Sequence, residues 1–254
     1  MHTKKLVLFD IDGTLTESAQ LITSNVKDSL NALITSGYHI GIVGGGRLDI
    51  ILKQLDTMYF NHYFSECGCV YHKNTSNIEL SSVEIYKKNL REHAMYPSIN
   101  ILIKIALMFI SQVDYTVTGH FIDLRNGIVY VSLIGINATV DERNCFMKLN
   151  EIHHYRKQLI DLLVTKTKEL NICDNVYVAE GGSVGIAIYP SEYDKIQVVE
   201  HLVDDYTEIH YVGDKYEIGG NDHKIINHPN IIGHKVNSIN DTIKIIKTLN
   251  VIKN

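Results

Sequence analysis

The chain has 254 residues, of which 45% are hydrophobic and 21% are charged, a composition typical of a soluble globular protein that can bury a core. This length suits one large domain or two modest ones. The formal net charge is −5 and the sequence contains no long basic run, so we expect no nucleic-acid partner held through its phosphates.

The cysteines and the apolar segments indicate a cytosolic protein without a membrane anchor. The chain has four cysteines: Cys67, Cys69, Cys145 and Cys173. They match no paired CxxC zinc pattern and are predicted to be reduced thiols, with the CxC pair at most a weak metal signal. The first residues lead directly into a predicted strand, so we expect no signal peptide. The longest apolar stretch, residues 99–113, contains Lys104 and is too short to span a bilayer, so we predict a buried helix face and no membrane partner.

The first third of the chain alternates predicted strands and helices. Residues 6–9 form a short apolar run of the buried-strand type, and residues 24–37 carry apolar side chains at helical spacing, with Ser24 as a plausible cap. A second strand over 38–43 leads into three glycines, and residues 47–55 are again helical. This β-α-β-α order predicts a parallel, doubly wound sheet.

The middle of the chain has a different pattern of hairpins and long helices. Alternating residues flank Asn126 and Gly127, a dipeptide that is the strongest short-range hairpin signal, and Gly181 and Gly182 repeat the arrangement. Residues 141–170, between the two hairpins, are predicted to be helical. Together these elements predict an antiparallel α+β domain inserted into the first one.

After Pro190 the pattern of the first third returns. A helix is predicted over 195–203, a strand that ends in an acid over 208–214, and a closing helix within 234–249. The chain therefore returns to the sheet that its first third began.

The predicted fold is α/β, with a doubly wound parallel-sheet core that is discontinuous along the chain. Residues 1–82 and 189–254 are assigned to the core, and residues 83–188 to an inserted α+β cap domain. Near the first boundary, Ser82 and Ile85 have the spacing of a helix start, although Ile85 is not the acid of a capping box.

Asp10 and Asp12 follow the first apolar run at a spacing of two residues. In an extended segment such residues point to the same side, so both carboxylates should converge at the carboxyl end of the first strand, where open α/β sheets bind ligands. Two acids this close repel one another, and Mg²⁺, which prefers hard oxygen ligands, would relieve the repulsion. Gly13 allows the turn and Thr14 offers a hydroxyl. A calcium loop of EF-hand type is excluded because Leu21 stands at its twelfth position, whereas a capped surface turn remains an alternative.

Other candidate site residues follow later strand ends. Asp214 ends the strand over 208–214 and Asp222 lies close by, so both are candidate metal ligands, although a glycine-rich loop with solvated acids would have the same sequence. The glycines that end at Gly46 could present backbone N–H groups to an anion, or could simply form a tight turn. Lys195 is a candidate counter-ion or an ordinary surface lysine. Together these residues are the parts needed for phosphoryl transfer through an aspartate.

The order of these residues resembles that of the haloacid dehalogenase-like superfamily. The segment DIDGT at residues 10–14 matches its first motif, Gly46 falls at the second, Lys195 at the third, and residues 213–222 at the fourth. Over nearly the whole chain, the sequence also resembles the eukaryotic-type phosphomannomutase family. The segments LFDIDGTLT, GIVGGG, GHFIDLRNGIVYVSLIG, DER, YDK and GDKYEIGGNDH occur in that family's order and roughly at its spacing.

The resemblance implies a role for each matching residue of the core. Asp10 would be the nucleophile that becomes an aspartyl-phosphate. Asp12 would be the acid/base that protonates the leaving oxygen and deprotonates the attacking hydroxyl. Lys195 would balance the charge of the phosphate. Asp214 would hold Mg²⁺ together with Asp10 and the backbone carbonyl of Asp12, and we include the nearby Asp222 among the metal-binding acids.

In the cap, the resemblance assigns Arg125 and Arg143 to the grip on the distal phosphate of the substrate. The planar fork of arginine suits that task, and ordinary surface salt bridging is the alternative. The family carries a third arginine where Ile136 stands in this sequence.

Further departures from the family pattern weaken the expected recognition of the sugar. Gly46 stands in place of a phosphate-binding serine, and Gly185 and Ala187 stand in place of a serine and an aspartate that hold sugar hydroxyls. The remaining departures are Cys67 within the family's ENG segment and, at the side-chain positions of a second cation site, His228 and Ile231. Each lost buried hydrogen bond to substrate costs about 1–3 kcal/mol, so several together could erase selectivity for mannose.

The resemblance implies a phosphosugar mutase that interconverts mannose 6-phosphate and mannose 1-phosphate. It further implies Mg²⁺ as cofactor, a hexose 1,6-bisphosphate as activator, a homodimer formed through the cap, and a cytoplasmic role in mannose metabolism that supplies GDP-mannose biosynthesis. Two alternatives stay open: a magnesium-dependent sugar phosphatase of the same fold, and a catalytically idle dimeric binding module. The intact set of Asp10, Asp12, Lys195 and Asp214 argues against the idle module.

Overall fold

A computed structural model describes residues 4–18, 20–75 and 81–251 of the chain. The chain divides into two compact units, and each is described separately. Unit 1 comprises Met1–Lys87 and Asp194–Asn254, and unit 2 comprises Lys88–Tyr193. The boundaries expected from the sequence, after residues 82 and 188, lie a few residues earlier in the chain.

Unit 1 is built on a seven-stranded sheet with the order β11-β10-β1-β2-β3-β4-β5. The strands are β1 (Lys5–Phe9), β2 (Tyr38–Val43), β3 (His62–Ser65), β4 (Val70–Asn74), β5 (Ser82–Lys87), β10 (Glu208–Gly213) and β11 (Ile232–Lys235). Strands β11, β10, β1, β2 and β3 run parallel, whereas β4 and β5 are added antiparallel at one edge. The predicted parallel α/β sheet is therefore confirmed.

Helices cover both faces of this sheet. They are α1 (Ser24–Thr35), α2 (Leu48–Gln54), α6 (His223–Ile226) and α7 (Ile239–Val251), with 3₁₀ segments at Glu66–Gly68 and Lys195–His201. On β1, Val7 and Phe9 pack in a cluster that includes side chains of α1 and α7, while Leu6 and Leu8 pack in a second cluster on the other face. Because successive side chains of a strand alternate between faces, β1 is apolar on both sides, as a strand central to a doubly wound sheet must be.

Unit 2 pairs a four-stranded antiparallel sheet with three α-helices. Its strands are β6 (Ile122–Leu124), β7 (Val129–Ser132), β8 (Val176–Gly181) and β9 (Gly185–Pro190), and its helices are α3 (Tyr96–Ile110), α4 (Val140–His153) and α5 (Tyr155–Glu169). The sheet order is β6-β7-β9-β8. Both predicted hairpins are present, one turning at Asn126 and Gly127 and the other after Gly181. Side chains of all three helices pack against the strands in one hydrophobic cluster.

Two local predictions from the sequence were wrong, and a third was right in outline. Ser82 begins strand β5 rather than a helix, because the segment pairs antiparallel with β4. The helix predicted from Lys195 is present as a 3₁₀ helix over Lys195–His201. The cap of α1 is Thr23, without a side-chain cap bond, so Ser24 is already the first helical residue.

The helical stretch predicted over 141–170 forms two helices. His154 adopts a left-handed conformation with φ of 56° and separates α4 from α5. Helix α3 buries one side in the cluster of unit 2, including Leu102 and Ala106, and leaves Leu107 and Met108 exposed. In the part of the chain that the structure describes, every helix is too short or too polar to cross a membrane.

Candidate active site

Asp10 lies immediately after β1, and Asp214 immediately after β10, so the parallel pairing of these strands brings the two acids to one edge of the sheet. The backbone of Asp10 continues the ladder, because its N–H donates to the carbonyl of Val212 at 2.9 Å. The next turn needs Gly13, which has a φ of +84°. A Cβ atom at Gly13 would lie 2.5 Å from Oδ2 of Asp214, so any side chain there would displace that carboxylate.

Three carboxylates meet at this edge of the sheet. Asp10, Asp214 and Asp222 each offer an oxygen, and these oxygens lie within 4.8 Å of one another. Asp10 and Asp222 are buried, and Asp214 is partly buried. Carboxylate oxygens in this arrangement are the ligands that Mg²⁺ prefers.

Lys195 is fully buried and connects two of these acids. Its Nζ atom donates to Oδ1 of Asp10 at 2.5 Å and to Oδ1 of Asp222 at 2.7 Å. The hydroxyl of Tyr211 donates to the same oxygen of Asp222 at 2.5 Å. The other oxygen of Asp222 accepts from the backbone N–H of Lys215 at 3.0 Å. Asp222 is thus held on both sides and anchors the ammonium beside Asp10.

The buried charges of this cluster shift its titration. Burial raises the pKa of Asp10 to about 7, although the Lys195 ammonium opposes the shift and the neighbouring acids add to it. Burial also raises the pKa of Asp214, and the charge of Asp222 adds to that shift. For Lys195, burial lowers the pKa, but Asp10 and Asp222 outweigh it and hold the pKa well above its usual value. For Asp222, burial raises the pKa, but Lys195 outweighs it and the net shift is downward.

The residues present fit a divalent cation. Oδ1 of Asp214 and Oγ1 of Thr14 are buried and have no hydrogen-bond partner within the described residues. Three carboxylates around one lysine ammonium leave an excess of negative charge, which is costly in a buried site. Asp10 and Asp214 offer oxygens for such an ion, whereas both oxygens of Asp222 already accept hydrogen bonds, so the metal-binding role of Asp222 remains a prediction.

The side chain of Asp12 does not join the three clustered carboxylates; it is exposed. Nε2 of Gln54, the last residue of α2, donates to Oδ1 of Asp12 at 2.8 Å and to the hydroxyl of Thr16 at 2.7 Å. The carboxylate is therefore fixed by a neighbouring helix, separately from the buried acids. The predicted convergence of the Asp10 and Asp12 carboxylates is therefore not observed, and a metal contact through the backbone carbonyl of Asp12 remains a prediction.

The glycine loop after β2 is tied to the neighbouring turn by backbone hydrogen bonds. The N–H of Gly44 donates to the carbonyl of Phe64 at 2.9 Å, so that group is already used. The N–H of Glu66 donates to the carbonyl of Gly46 at 3.0 Å. A Cβ atom at Gly46 would meet nothing closer than Ile51, at 3.5 Å, so the position has room for a side chain. Anion binding at Gly46 remains a prediction.

In unit 2, the structure places the predicted arginines around a tyrosine. Nε of Arg125 donates to Oδ2 of Asp123 at 2.7 Å, and the guanidinium lies 5.2 Å from the ring centre of Tyr130. Arg143 donates from Nη2 to the carbonyl of Ile136 at 2.8 Å. Gly185, on β9, lies beneath the same tyrosine, since a Cβ there would be 2.5 Å from Cζ of Tyr130. Their roles toward a substrate remain predictions.

Sequence reasoning missed four residues of these two sites. In unit 1, Gln54 holds Asp12 from 42 positions away in the sequence, and Tyr211 holds Asp222 from 11 positions away. In unit 2, Tyr130 lies among the arginines, and Arg156 donates to the carbonyls of Gly182 and Gly185. A strand tyrosine or a helix glutamine has no characteristic spacing, so no signal in the sequence distinguished these side chains.

Comparison with solved structures places the fold. The N-terminally truncated IMP-nucleotidase of Plasmodium falciparum superimposes with a TM-score of 0.67 at 12% identity, covering 97% of this chain and 70% of that one. A trehalose-6-phosphate phosphatase of Aspergillus fumigatus has a TM-score of 0.50 at 16% identity, covering 98% of this chain and 93% of that one. At this identity the likeness concerns the fold. The predicted fold, a doubly wound parallel sheet of the haloacid dehalogenase-like type, is thereby confirmed.

Sequence comparison is more specific. The sequence model of the eukaryotic phosphomannomutase family matches residues 26–252. The phosphomannomutases of Arabidopsis thaliana and Glycine max are each 34% identical to this chain, over 96% of its length and 96% and 95% of theirs. That of Babesia bovis is 29% identical over 97% of this chain and 98% of its own. The chain belongs to the eukaryotic phosphomannomutase family.

Proposed function

We propose that this protein is a phosphosugar mutase that interconverts mannose 6-phosphate and mannose 1-phosphate through an aspartyl-phosphate. The observation that carries the proposal is the buried contact of Asp10 with Lys195, itself anchored by Asp222. A carboxylate at a strand end with a lysine ammonium beside it is arranged to attack a phosphoryl group and to balance its charge.

Each half-reaction transfers one phosphoryl group. In the first, a sugar hydroxyl of the sugar phosphate attacks the phosphorus of phosphorylated Asp10. The bond from phosphorus to Asp10 breaks, and Asp12 accepts the proton of the attacking hydroxyl. In the second, Asp10 attacks the other phosphoryl group of the resulting bisphosphate, and Asp12 returns the proton to the leaving sugar oxygen. Lys195 balances the charge at Asp10 throughout. A hexose 1,6-bisphosphate would supply the first phosphoryl group.

Mg²⁺ is the proposed cofactor. Asp10, Asp214 and the backbone carbonyl of Asp12 would hold it, and the bound ion would neutralise charge between the carboxylates and the phosphoryl group. The buried oxygen of Asp214 that lacks a partner within the described residues supports this assignment.

Substrate recognition is assigned to unit 2. Arg125 and Arg143 would bind the phosphate at the far end of the sugar, so that either hydroxyl can be presented to Asp10. We further propose a cytoplasmic homodimer formed through unit 2, in keeping with the family. The exposed apolar side chains of Leu107 and Met108 on α3 support a contact between copies.

A sugar phosphatase of the same fold is the second candidate, because the residues that read the sugar are altered. Gly46, Ile136, Gly185 and Ala187 lack the side chains that the family uses for phosphate and sugar. We therefore expect slow mutase activity, weak discrimination between mannose and glucose 1-phosphates, and measurable transfer to water. The intact contact between Asp10 and Lys195 argues against the idle binding module.

Product analysis tests this proposal. Mannose 1-phosphate is supplied with Mg²⁺ and a hexose bisphosphate, and mannose 6-phosphate and inorganic phosphate are followed together. We expect both products, and loss of mannose 6-phosphate in Arg143→Ala. If only inorganic phosphate appears, and Arg143→Ala leaves its rate unchanged, the protein is a phosphatase. If neither product appears, the binding module takes its place.

A further inference from the structure

The sheet of unit 2 has one apolar face and one face that presents Tyr130. Val129 and Val131 of β7 are buried in the hydrophobic cluster with the helices. Since neighbouring residues of a strand point to opposite faces, Tyr130 points away from that cluster. Its pairing partner on β9 is Ala187, and Gly185 pairs with Ser132. Tyr130 therefore shares a face with both positions at which the family's sugar-binding serine and aspartate are missing.

The ring of Tyr130 fills the space that a side chain at Gly185 would occupy. A Cβ atom on Gly185 would lie 2.5 Å from Cζ and 2.6 Å from the hydroxyl oxygen of Tyr130. Gly181 and Gly182 flank the same ring, with constructed Cβ positions 3.0 Å from Cε2 and 3.4 Å from the hydroxyl oxygen respectively. Three glycines thus form a shelf, defined as Gly181, Gly182 and Gly185, on which the phenol rests.

Three arginines from different elements influence this phenol electrostatically. Arg125 precedes β7 and lies over the ring at 5.2 Å from its centre. Arg143 comes from α4, and Arg156 from α5. Burial raises the pKa of Tyr130 while the charges of all three arginines oppose that shift, and the phenol stays protonated at neutral pH. Asp123, which pairs with Arg125, acts on the phenol in the opposite direction, and the largely exposed Glu180 pairs with Arg156.

Arg156 differs from the other two in what it contacts. Its Nε donates to the carbonyl of Gly185 at 3.2 Å, and its Nη2 donates to the carbonyl of Gly182 at 2.9 Å. Because Arg156 is nine-tenths buried and binds the shelf itself, it fixes the hairpin on which Tyr130 rests. It is a positioning residue for the phenol.

We propose that the hydroxyl of Tyr130 is a ligand of the substrate's phosphate, standing where the family's serine at position 185 would stand. This inference rests on the proposed function, since it requires a sugar phosphate as substrate. A protonated phenol is a hydrogen-bond donor, and a phosphate oxygen is a strong acceptor. In a field set by three guanidinium groups, an anion is favoured over a neutral sugar hydroxyl as the partner of that donor.

The choice of a phosphate rather than a sugar hydroxyl has a measurable consequence. A ligand of the phosphate contributes equally to every hexose 1-phosphate, whereas a ligand of a sugar hydroxyl discriminates between mannose and glucose. Tyr130 is therefore expected to restore affinity for the phosphate without restoring discrimination between mannose and glucose.

Binding is measured by calorimetry in the Asp10→Asn background, which prevents turnover, with Mg²⁺ present and with mannose 1-phosphate and glucose 1-phosphate as probes. Tyr130→Phe keeps the ring on its shelf and removes the hydroxyl alone. We expect about a ten-fold weaker affinity for both sugars, equal within two-fold, because a hydrogen bond to a charged group is lost. The control is Tyr177→Phe on β8, which should bind as tightly as the parent.

Each other outcome overturns the inference. If Tyr130→Phe binds both sugars as tightly as the parent, the hydroxyl is not a ligand, while the proposed function stands. If only one sugar is weakened, the hydroxyl contacts the sugar rather than the phosphate. If the parent with Tyr130 intact binds neither sugar phosphate, the inference and the proposed function fail together. Urea unfolding of Tyr130→Phe, expected to match the parent, separates a lost contact from a damaged fold.

Discussion

Gly46 in unit 1 and Gly185 in unit 2 record the same change in sequence but different changes in structure. Both stand where the family carries a serine. A Cβ atom at Gly46 would meet only Ile51, at 3.5 Å, which is an ordinary contact. At Gly185 a Cβ would lie 2.5 Å from Cζ of Tyr130 and 2.6 Å from the carbonyl oxygen of Val131. The hydroxyl at Gly46 is thus simply missing, whereas the place at Gly185 is filled by another hydroxyl.

A missing functional side chain therefore has to be evaluated together with the residues around it. At Gly46 the nearest contact is aliphatic and offers no hydrogen-bond donor, so we expect weaker recognition of phosphate there. At Gly185 the phenol of Tyr130 occupies the volume that a side chain would fill. The position therefore keeps a hydrogen-bond donor, although with a different geometry. The comparison predicts that the two glycines respond in opposite ways to the return of serine.

The contrast between Gly46 and Gly185 matters for function only if unit 1 transfers a phosphoryl group through Asp10. Asp10→Asn removes the nucleophile, so we expect no phosphoenzyme and no turnover. Asp12→Asn removes proton transfer alone, so turnover should fall ~100- to 10,000-fold while Mg²⁺ still binds. Phosphoenzyme trapping with labelled hexose bisphosphate and metal titration measure both. Full activity in Asp10→Asn would contradict the role of Asp10 as nucleophile, and neither glycine would then belong to a phosphoryl-transfer site.

The next effect concerns the filled position. Gly185→Ser forces an atom into the volume of Tyr130, and such overpacking costs roughly 1–3 kcal/mol in the free energy of unfolding. Urea denaturation at neutral pH measures the change. The matched control is Gly46→Ser, which has room and should stay within about 0.5 kcal/mol of the parent. Equal stability of the two variants would show that Tyr130 does not occupy the place of the serine.

The stability of unit 1 should depend on pH through His62. This side chain is fully buried between the hydroxyls of Tyr71 and Tyr206. Burial lowers the pKa of His62 to about 3, so between its usual value near 6.5 and pH 3 the unfolded chain binds more protons than the folded one. The contribution of His62 to the free energy of unfolding is therefore fully present above pH 6.5 and falls by roughly 1.4 kcal/mol per pH unit below it. His62→Gln cannot be protonated, so its stability should fall less steeply. Parallel slopes for the two proteins, in urea titrations from pH 7 to pH 5, would contradict this.

The smallest expected effect is a gain at the vacant position. Gly46→Ser returns a hydroxyl beside the site, and one hydrogen bond contributes about 0.5–1.5 kcal/mol, so the KM for sugar phosphate should fall about 2- to 10-fold. Gly46→Ala, which adds the Cβ without the hydroxyl, is the matched control and should not improve KM. An unchanged KM in Gly46→Ser would mean that Gly46 does not face the phosphate.

Much of the fold followed from short-range pattern in the sequence. Apolar runs separated by helical spacing predicted β1, α1, β2 and α2 in the right order, and two turn dipeptides predicted the hairpins of unit 2. The family motifs identified Asp10, Lys195, Asp214 and Asp222, which the structure brings into one cluster. The predictions of these elements succeeded because each depended on neighbouring residues or on a turn dipeptide, whereas the roles of the clustered residues remain predictions.

The rest depended on contacts between distant parts of the chain. Ser82–Lys87 is a strand because β4 pairs with it, and nothing within the segment itself requires that. Gln54 reaches Asp12 across 42 positions of sequence, and Tyr211 of β10 reaches Asp222 across the loop that follows this strand. The exchange of a serine at Gly185 for the phenol of Tyr130 is visible only when two strands are seen side by side.

The place of β1 in the sheet affects how the protein is made. Strand β1 pairs with β10, so Lys5 cannot pair with Glu208 until Glu208 has emerged during synthesis. At about 5–20 residues per second, the roughly 200 intervening residues take roughly 10–40 s on the ribosome. All of Lys88–Tyr193 emerges within that interval and can fold first. Until then the backbone groups of β1 that pair with β10 stay unpaired, and such an edge is prone to aggregation. The nascent chain also lacks Lys195 beside Asp10, so the proposed phosphoryl transfer cannot begin.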